Sequence, residues 1–293
     1  MKQKKTVNKY CLARIHAIAL DLDGVVYLGN TPIPGAIDAI QKIRDFNLRL
    51  FFVTNNSGKK REFITNKLID MGIQATNDDV LTSGYATGIL VRRLSHDNSK
   101  KVLVIGSNDL KHEIAHFGVE IVSNLPCDIL VVGFDQAFNY EKICMGLNAI
   151  RQNAIFIACN RDRSFPIEGG NVLPGCGAMV GAIESTAGIK PHFEVGKPNT
   201  MLLEIISSEL KIKPSEILVV GDDCASDIAM ANRFGSPSIL VKYPFTNTIY
   251  NTELEPTMHV TSLTQLTKIL KASEIKNKSN RYQSFPKISL NGT

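Results

Sequence analysis

The 293-residue chain contains no tryptophan, and phenylalanine and tyrosine bring its aromatic share only to 7%. No apolar run approaches the roughly 18 residues that a membrane-spanning helix needs, so a spanning helix is excluded. Cysteine is sparse: Cys11, Cys127, Cys144, Cys159, Cys176 and Cys224 include no Cys-x-x-Cys pair. A chain of this length needs no disulfide staples. Basic residues Lys2, Lys4, Lys5 and Lys9 open the sequence as they would a secretion signal. The apolar stretch that follows, Ile15–Leu20, is short and runs into Asp21 and Asp23 without a cleavage-site pattern. It reads as a strand. A cytoplasmic protein with reduced thiols is expected.

Charge of one sign is also scarce where it would matter. The formal net charge is +5, but residues 1–14 carry five basic side chains and no acidic one. Residues 271–293 carry five basic and one acidic, which leaves 15–270 with 23 basic against 27 acidic. The surplus belongs to the two ends, which are expected to be flexible tails, and gives no reason to expect nucleic acid or a membrane as partner. What remains, 44% hydrophobic and 21% charged, is the composition of a globular protein.

Short β-branched runs alternate with helical periodicity, the pattern of parallel βαβ units. Strands are expected at Ile15–Leu20, Leu48–Val53, Val102–Ile105, Asp128–Val132, Ala154–Ala158, Ile217–Val220 and Ser238–Val241. Helices are expected near Pro34–Phe46, Lys60–Met71, from Thr82 or Ser83 to Leu94, Asn108–His116, Tyr140–Arg151, up to Ala187, and over Pro198–Leu210 and Ala225–Arg233, and Leu263–Leu270 closes the pattern. The mid-chain restart of the strand series suggests two α/β modules.

Chemistry-bearing residues fall where such strands end. The first strand runs into Asp21-Leu22-Asp23-Gly24. Ligands of open parallel sheets gather beyond the strands' carboxyl ends. One carboxylate there can attack phosphorus or bind a hard cation, and its neighbour can move a proton. The plain alternative is a polar strand end that starts a turn. The second strand ends in Thr54-Asn55-Asn56-Ser57-Gly58, suited to a phosphate but also a common loop composition. Lys197 lies in Gly196-Lys197-Pro198, and Asp222, Asp223 and Asp227 follow the strand at Ile217–Val220.

Taken in order, these segments resemble the four motifs of the haloacid dehalogenase superfamily. The flanking Pro32-Ile33-Pro34-Gly35-Ala36, Leu81-Thr82-Ser83 and Pro174-Gly175-Cys176-Gly177 are similar to its NagD-like, or p-nitrophenyl-phosphatase (chronophin-type), branch. The resemblance implies an α/β fold: a Rossmann-like core with a parallel sheet (15–95 and 190–270) and an inserted α/β cap domain (96–189). It implies that Asp21 is the nucleophile forming an aspartyl-phosphate and that Asp23 is the general acid and base. Thr54, Asn55 and Asn56 would bind phosphate, and Lys197 would neutralise its charge. Mg²⁺ would be held by Asp21, Asp222 and the backbone carbonyl of Asp23, with Asp227 orienting Lys197 or the metal shell. The expected substrate is a small phosphorylated metabolite: a sugar phosphate, nucleoside monophosphate, phosphoglycolate or pyridoxal phosphate. A homodimer through the cap is consistent with the branch. Phosphotransfer to another acceptor, or a phosphometabolite-binding regulator, is the alternative on the same fold.

Some positions depart from the branch. Ser226 stands where Thr is usual, Asp223 adds a carboxylate able to compete with Asp222, and Lys242-Tyr243-Pro244 replaces a stretch that is often Thr-Gly. Asn160-Arg161-Asp162 stands where Asn-Pro-Asp is usual, with Arg163 next. These four residues are expected to shape substrate specificity, the two arginines by meeting a second anionic group. A rival from another reaction class is His112-Glu113-Ile114-Ala115-His116, which matches the zinc-hydrolase pattern HExxH. Its helix is short and ends at Phe117-Gly118. Gly175–Gly181 faintly suggests a dinucleotide loop, but its GxGxxxG spacing fits tight backbone approach near the cap hinge better.

Overall fold

Every residue of the first strand, Ala17–Asp21, is buried, as expected of a strand covered on both faces. The computed structural model describes Leu12 and residues 14–46, 48–95, 100–166, 171–243 and 254–272. Apart from Leu12, Arg14, Lys271 and Ala272, the two expected tails lie outside the described residues, as does Pro244.

The first half of the chain supplies β1 (Ala17–Asp21), β2 (Tyr27–Leu28), β3 (Thr31–Pro32), β4 (Arg49–Thr54) and β5 (Val80–Thr82). The middle supplies β6 (Lys101–Ile105), β7 (Glu120–Val122), β8 (Ile129–Val132), β9 (Ile155–Ala158), β10 (Ser164–Pro166), β11 (Val172–Pro174) and β12 (Phe193–Glu194). The last part adds β13 (Ile217–Gly221), β14 (Ser238–Val241) and β15 (Met258–Val260).

Six of these strands form a parallel sheet in the order β15-β14-β13-β1-β4-β5. The chain starts in the middle at β1, builds to one side through β4 and β5, then returns to build the other through β13. The switch point therefore falls at β1, and β1, β4 and β13 present their carboxyl ends side by side. That geometry places a ligand crevice at Asp21, Thr54 and Gly221.

Alternation along the strands divides the core into two layers. Ile18, Leu20, Leu50, Phe52, Leu218 and Val220 face helices Ala36–Asp45, Arg61–Asp70 and Leu263–Ala272. Ala17, Ala19, Phe51, Val53, Ile217 and Val219 share the other layer with helices Ser83–Leu94, Met201–Leu210 and Ala229–Phe234. Thr82 accepts a hydrogen bond from the Tyr85 N–H (3.0 Å) and so caps the helix Ser83–Leu94.

A second parallel sheet, β12-β9-β8-β6-β7, is built wholly from residues between 101 and 194. Val102, Val104, Ile129, Val131 and Ile157 join the second layer of the first sheet. Leu103, Leu130, Val132 and Phe156 pack on the opposite side against helices Tyr140–Arg151 and Cys176–Ala187. This sheet extends past the expected boundary at 189, because Phe193 and Glu194 pair in parallel with Ile157 and Ala158. No helix among the described residues is long and apolar enough to cross a membrane.

Candidate active site

Asp21 ends β1, and Lys197 reaches it from a turn 176 residues away. The Lys197 ammonium lies 2.5 Å from Asp21 Oδ1 and 2.8 Å from Asp227 Oδ1, and all three side chains are buried. Burial opposes the charge of Lys197, yet Asp21 and Asp227 outweigh it and hold the ammonium firmly protonated. Asp21 is pushed well above the usual carboxylate range by its own burial. Asp227 and Asp222 add to that rise and Lys197 opposes it.

Asp227 owes its position to a wide turn at Cys224–Ile228. The Asp223 carbonyl accepts from both Asp227 N–H (3.0 Å) and Ile228 N–H (3.3 Å), so the turn is looser than α and precedes a shorter helix, Ala229–Phe234, than the expected Ala225–Arg233. Asp227 thereby points inward, its second oxygen accepting from the Asp223 N–H (3.3 Å). Asp223 itself is exposed and caps the turn, accepting from Ala225 N–H (2.9 Å).

Carboxylate oxygens of Asp21, Asp222 and Asp227 lie within 4.8 Å of one another. Burial, with Asp227 next, raises Asp222 to about 7. Three crowded carboxylates against one ammonium leave a deficit of positive charge, and oxygen donors of this kind suit a hard divalent cation. The residues fit Mg²⁺. Asp223 lies outside this cluster, one of its oxygens engaged as the cap. Gly24 closes the other wall: its φ is +84°, and a Cβ there would stand 2.2 Å from Asp222 Oδ2. Only glycine lets the backbone of the loop after Asp23 approach so near.

Asp23 is exposed, two residues beyond Asp21 and on the loop leading to the β2–β3 hairpin. Crowding by protein raises its carboxyl, with a smaller rise from Asp162, against the pull of Lys67 and Lys197. Lys67, whose ammonium sits 3.8 Å from the centre of the Tyr27 ring, was not foreseeable. A lysine in mid-helix carries no sequence mark that it faces a site.

The asparagine side chains of the loop after β4 are engaged within the protein. Thr54 is buried, and its hydroxyl oxygen accepts from the Asn56 N–H (3.1 Å). Asn56 Oδ1 accepts from Gly58 and Lys59 N–H (2.9 and 3.0 Å), so its side chain shapes the turn. Asn55 spends both amide hydrogens, one on the Lys197 carbonyl (3.0 Å) and one on Asp162 Oδ1 (2.8 Å). Its Oδ1 accepts from the Lys197 N–H (2.7 Å). The side chain of Asn55 therefore has no hydrogen left for a phosphate. The approach is so close that a Cβ on Gly196 would lie 2.5 Å from Asn55 Oδ1.

Of the four residues expected to set specificity, Asn160 is buried and donates to the Asn55 carbonyl (2.6 Å) and Ser57 Oγ (3.1 Å). Arg161 is ion-paired: its Nε is 2.7 Å from Glu194 and another nitrogen is 2.5 Å from Glu184. Two carboxylates thus face its single positive charge. Asp162 meets Asn55, and Arg163 is exposed, its carbonyl accepting from Gly175 N–H (2.9 Å). Ser57 and Ser83, which the sequence offered only as parts of motif segments, complete this junction, Ser83 Oγ donating to the Asn55 carbonyl (2.7 Å).

The HExxH segment forms no metal centre among the described residues. Its glutamate is taken by Arg61, whose backbone N–H and Nε both donate to Glu113 (3.0 and 3.1 Å). His112 and His116 are exposed on the last turn of the helix Asn108–Ala115.

A doubly wound parallel sheet brings an aspartate-rich carboxyl edge and a buried lysine together at its switch point. Family models described as haloacid dehalogenase-like hydrolase and HAD-hydrolase-like match residues 18–120 and 194–266. The chain belongs to the haloacid dehalogenase-like hydrolases, and its neighbours are NagD-like p-nitrophenyl phosphatases and acid sugar phosphatases. Sugar-phosphatase AraL of Bacillus subtilis is 34% identical over 225 residues, covering 76% of this chain and 82% of the relative. The 5'-nucleotidase YutF of the same organism is 34% identical over 248 residues, covering 84% and 95%. Among solved structures, a p-nitrophenyl phosphatase from Archaeoglobus fulgidus superposes with a TM-score of 0.80 at 29% identity, covering 87% of this chain and 98% of its own. A glycerol phosphate phosphatase from Mycobacterium tuberculosis, solved with magnesium, gives 0.79 at 28%, covering 89% and 79%.

Proposed function

We propose that this protein is a Mg²⁺-dependent phosphatase that hydrolyses the phosphomonoester of a small metabolite through an aspartyl-phosphate on Asp21. The observation that carries the reading is the buried Lys197 bridging Asp21 and Asp227, with Asp222 beside them. The relatives' names (sugar phosphatase, 5'-nucleotidase, glycerol phosphate phosphatase) share this substrate class.

Asp21 attacks phosphorus, forming a new P–O bond as the bond to the leaving oxygen breaks. Lys197 offsets the repulsion between carboxylate and phosphate dianion. Asp23, open to the crevice and with its carboxyl raised, gives its proton to the leaving oxygen. It then takes a proton from water, which attacks phosphorus, frees inorganic phosphate and restores Asp21. Thr54 and the loop that follows border the transferring group. Asp21, Asp222 and the Asp23 carbonyl would hold the metal, with Asp227 alongside; when bound, the ion compensates charge on the phosphoryl oxygens.

The module around the second sheet serves as the cap that covers the leaving group. We place the protein in the cytoplasm, since Cys127, Cys144, Cys159, Cys176 and Cys224 are all free thiols. Phosphate release from p-nitrophenyl phosphate and a panel of phosphorylated metabolites, with Mg²⁺ and with EDTA, tests the assignment. Release that needs Mg²⁺ is expected. No release from any phosphomonoester would overturn it.

A further inference from the structure

Asp162 and Asn160 are carried by the inserted module but grip the core at Asn55. Asn160 donates to the Asn55 backbone carbonyl, and its Oδ1 accepts from the Asp162 N–H (3.2 Å). Asp162 receives one amide hydrogen of Asn55, whose other hydrogen and oxygen hold the carbonyl and N–H of Lys197. The segment 160–162 is fixed to its own module. Arg161 is held by Glu184 and Glu194, and the Asp162 carbonyl accepts from Gly177 N–H (2.9 Å). A Cβ on Gly175 would lie 2.2 Å from that carbonyl, and one on Gly177 would lie 2.7 Å from the Arg161 carbonyl. A rigid loop thus meets a side chain whose hydrogen-bonding capacity is spent on the backbone of Lys197.

We propose that Asp162 is a positioning residue. Through Asn55 it sets where the backbone of Lys197, and so its ammonium, stands relative to Asp21, linking the seating of the cap to the charge balance of the site. This rests on the phosphatase reading for its consequence in turnover, but the link itself is a matter of geometry. Asp162 is then neither a substrate contact nor a proton carrier. What the link requires at position 162 is an acceptor oxygen, which an asparagine also supplies.

The test compares Asp162→Ala with Asp162→Asn, using p-nitrophenyl phosphate and Mg²⁺. A small misplacement of a charge-compensating group costs roughly 10- to 100-fold in rate. Asp162→Ala is expected to lose kcat on that scale with KM changed by less than about twofold, since the loss falls on the transition state. Asp162→Asn is expected to recover most of the lost kcat. Equal losses in the two variants, or a raised KM with kcat intact, would overturn the proposal. A second measurement is independent of turnover: the side-chain amine NMR signal of Lys197 should shift in Asp162→Ala and return in Asp162→Asn. An unmoved signal would overturn the link even in an active enzyme. A wild type that releases no phosphate would remove the functional reading and leave the NMR comparison to decide the link.

Discussion

The ammonium of Lys197 stands 2.5 Å from Asp21 Oδ1 although both side chains are withdrawn from water. Removing one partner of such a pair leaves an uncompensated buried charge, a loss of about 3–5 kcal/mol. Lys197→Met is expected to lose activity and to be destabilised on that scale at neutral pH. The loss should shrink in acid as Asp21, whose carboxyl burial already raises, takes up a proton. Urea unfolding at pH 7 and pH 5 checks this; an unchanged stability at both would show that the pair does not form.

Gly24 and Asp222 make a second, steric prediction. With φ at +84° and Asp222 Oδ2 2.2 Å from the site of a Cβ, Gly24→Ala must move the loop or the carboxylate. A strain of about 1–3 kcal/mol and weaker Mg²⁺ binding are expected together. Isothermal titration with Mg²⁺ and a thermal melt report the two effects. A fully stable variant with wild-type Mg²⁺ affinity would contradict the crowding.

Asp222, raised to about 7 by burial and then by Asp227, predicts a pH effect whose sign can be worked out. An acid whose folded pKa lies above its unfolded value binds more protons when folded. Its ionisation therefore costs stability as pH rises from near 4 to about 7. Without divalent ions, Asp222→Asn should be more stable than wild type, by a margin that grows over that interval and levels above it. For wild type, protons and Mg²⁺ compete for the same oxygens, so apparent Mg²⁺ affinity should fall as pH drops below about 7. Melting curves of both proteins at several pH values decide the point. A margin that is flat, or that grows toward acid, would sink it.

The HExxH segment yields a negative expectation. His112→Ala and His116→Ala should leave turnover and metal content unchanged, whereas Glu113→Ala should lower stability by removing the acceptor for two Arg61 hydrogens. Zinc that is bound stoichiometrically and lost in either histidine variant would reverse this reading.

Legibility in the sequence followed the range of the interactions involved. The apolar run ending at Asp21 and the β-branched run before Asp222 are local, so strand ends and their carboxylates could be read directly. β5, β12 and β15 span two or three residues each, too short for any periodicity. The helix expected from Pro198 begins at Met201 because a turn closes between Asn199 N–H and the Gly196 carbonyl (3.0 Å). Hardest of all were roles fixed by partners distant in the chain. The side-chain amide of Asn55 looks free for a phosphate until Lys197, 142 residues on, claims it. Arg161 looks like an anion receptor until Glu184 and Glu194 neutralise it.

The central claim is that Asp21 becomes phosphorylated during turnover. Acid quenching of the wild type with Mg²⁺ and a phosphomonoester, borohydride reduction and peptide mass spectrometry test it directly. Reduction of an acyl phosphate converts that aspartate to homoserine, so the account predicts the change at position 21, none in protein without substrate, and no turnover by Asp21→Asn. Turnover by Asp21→Asn, or trapping at a different carboxylate, would contradict it.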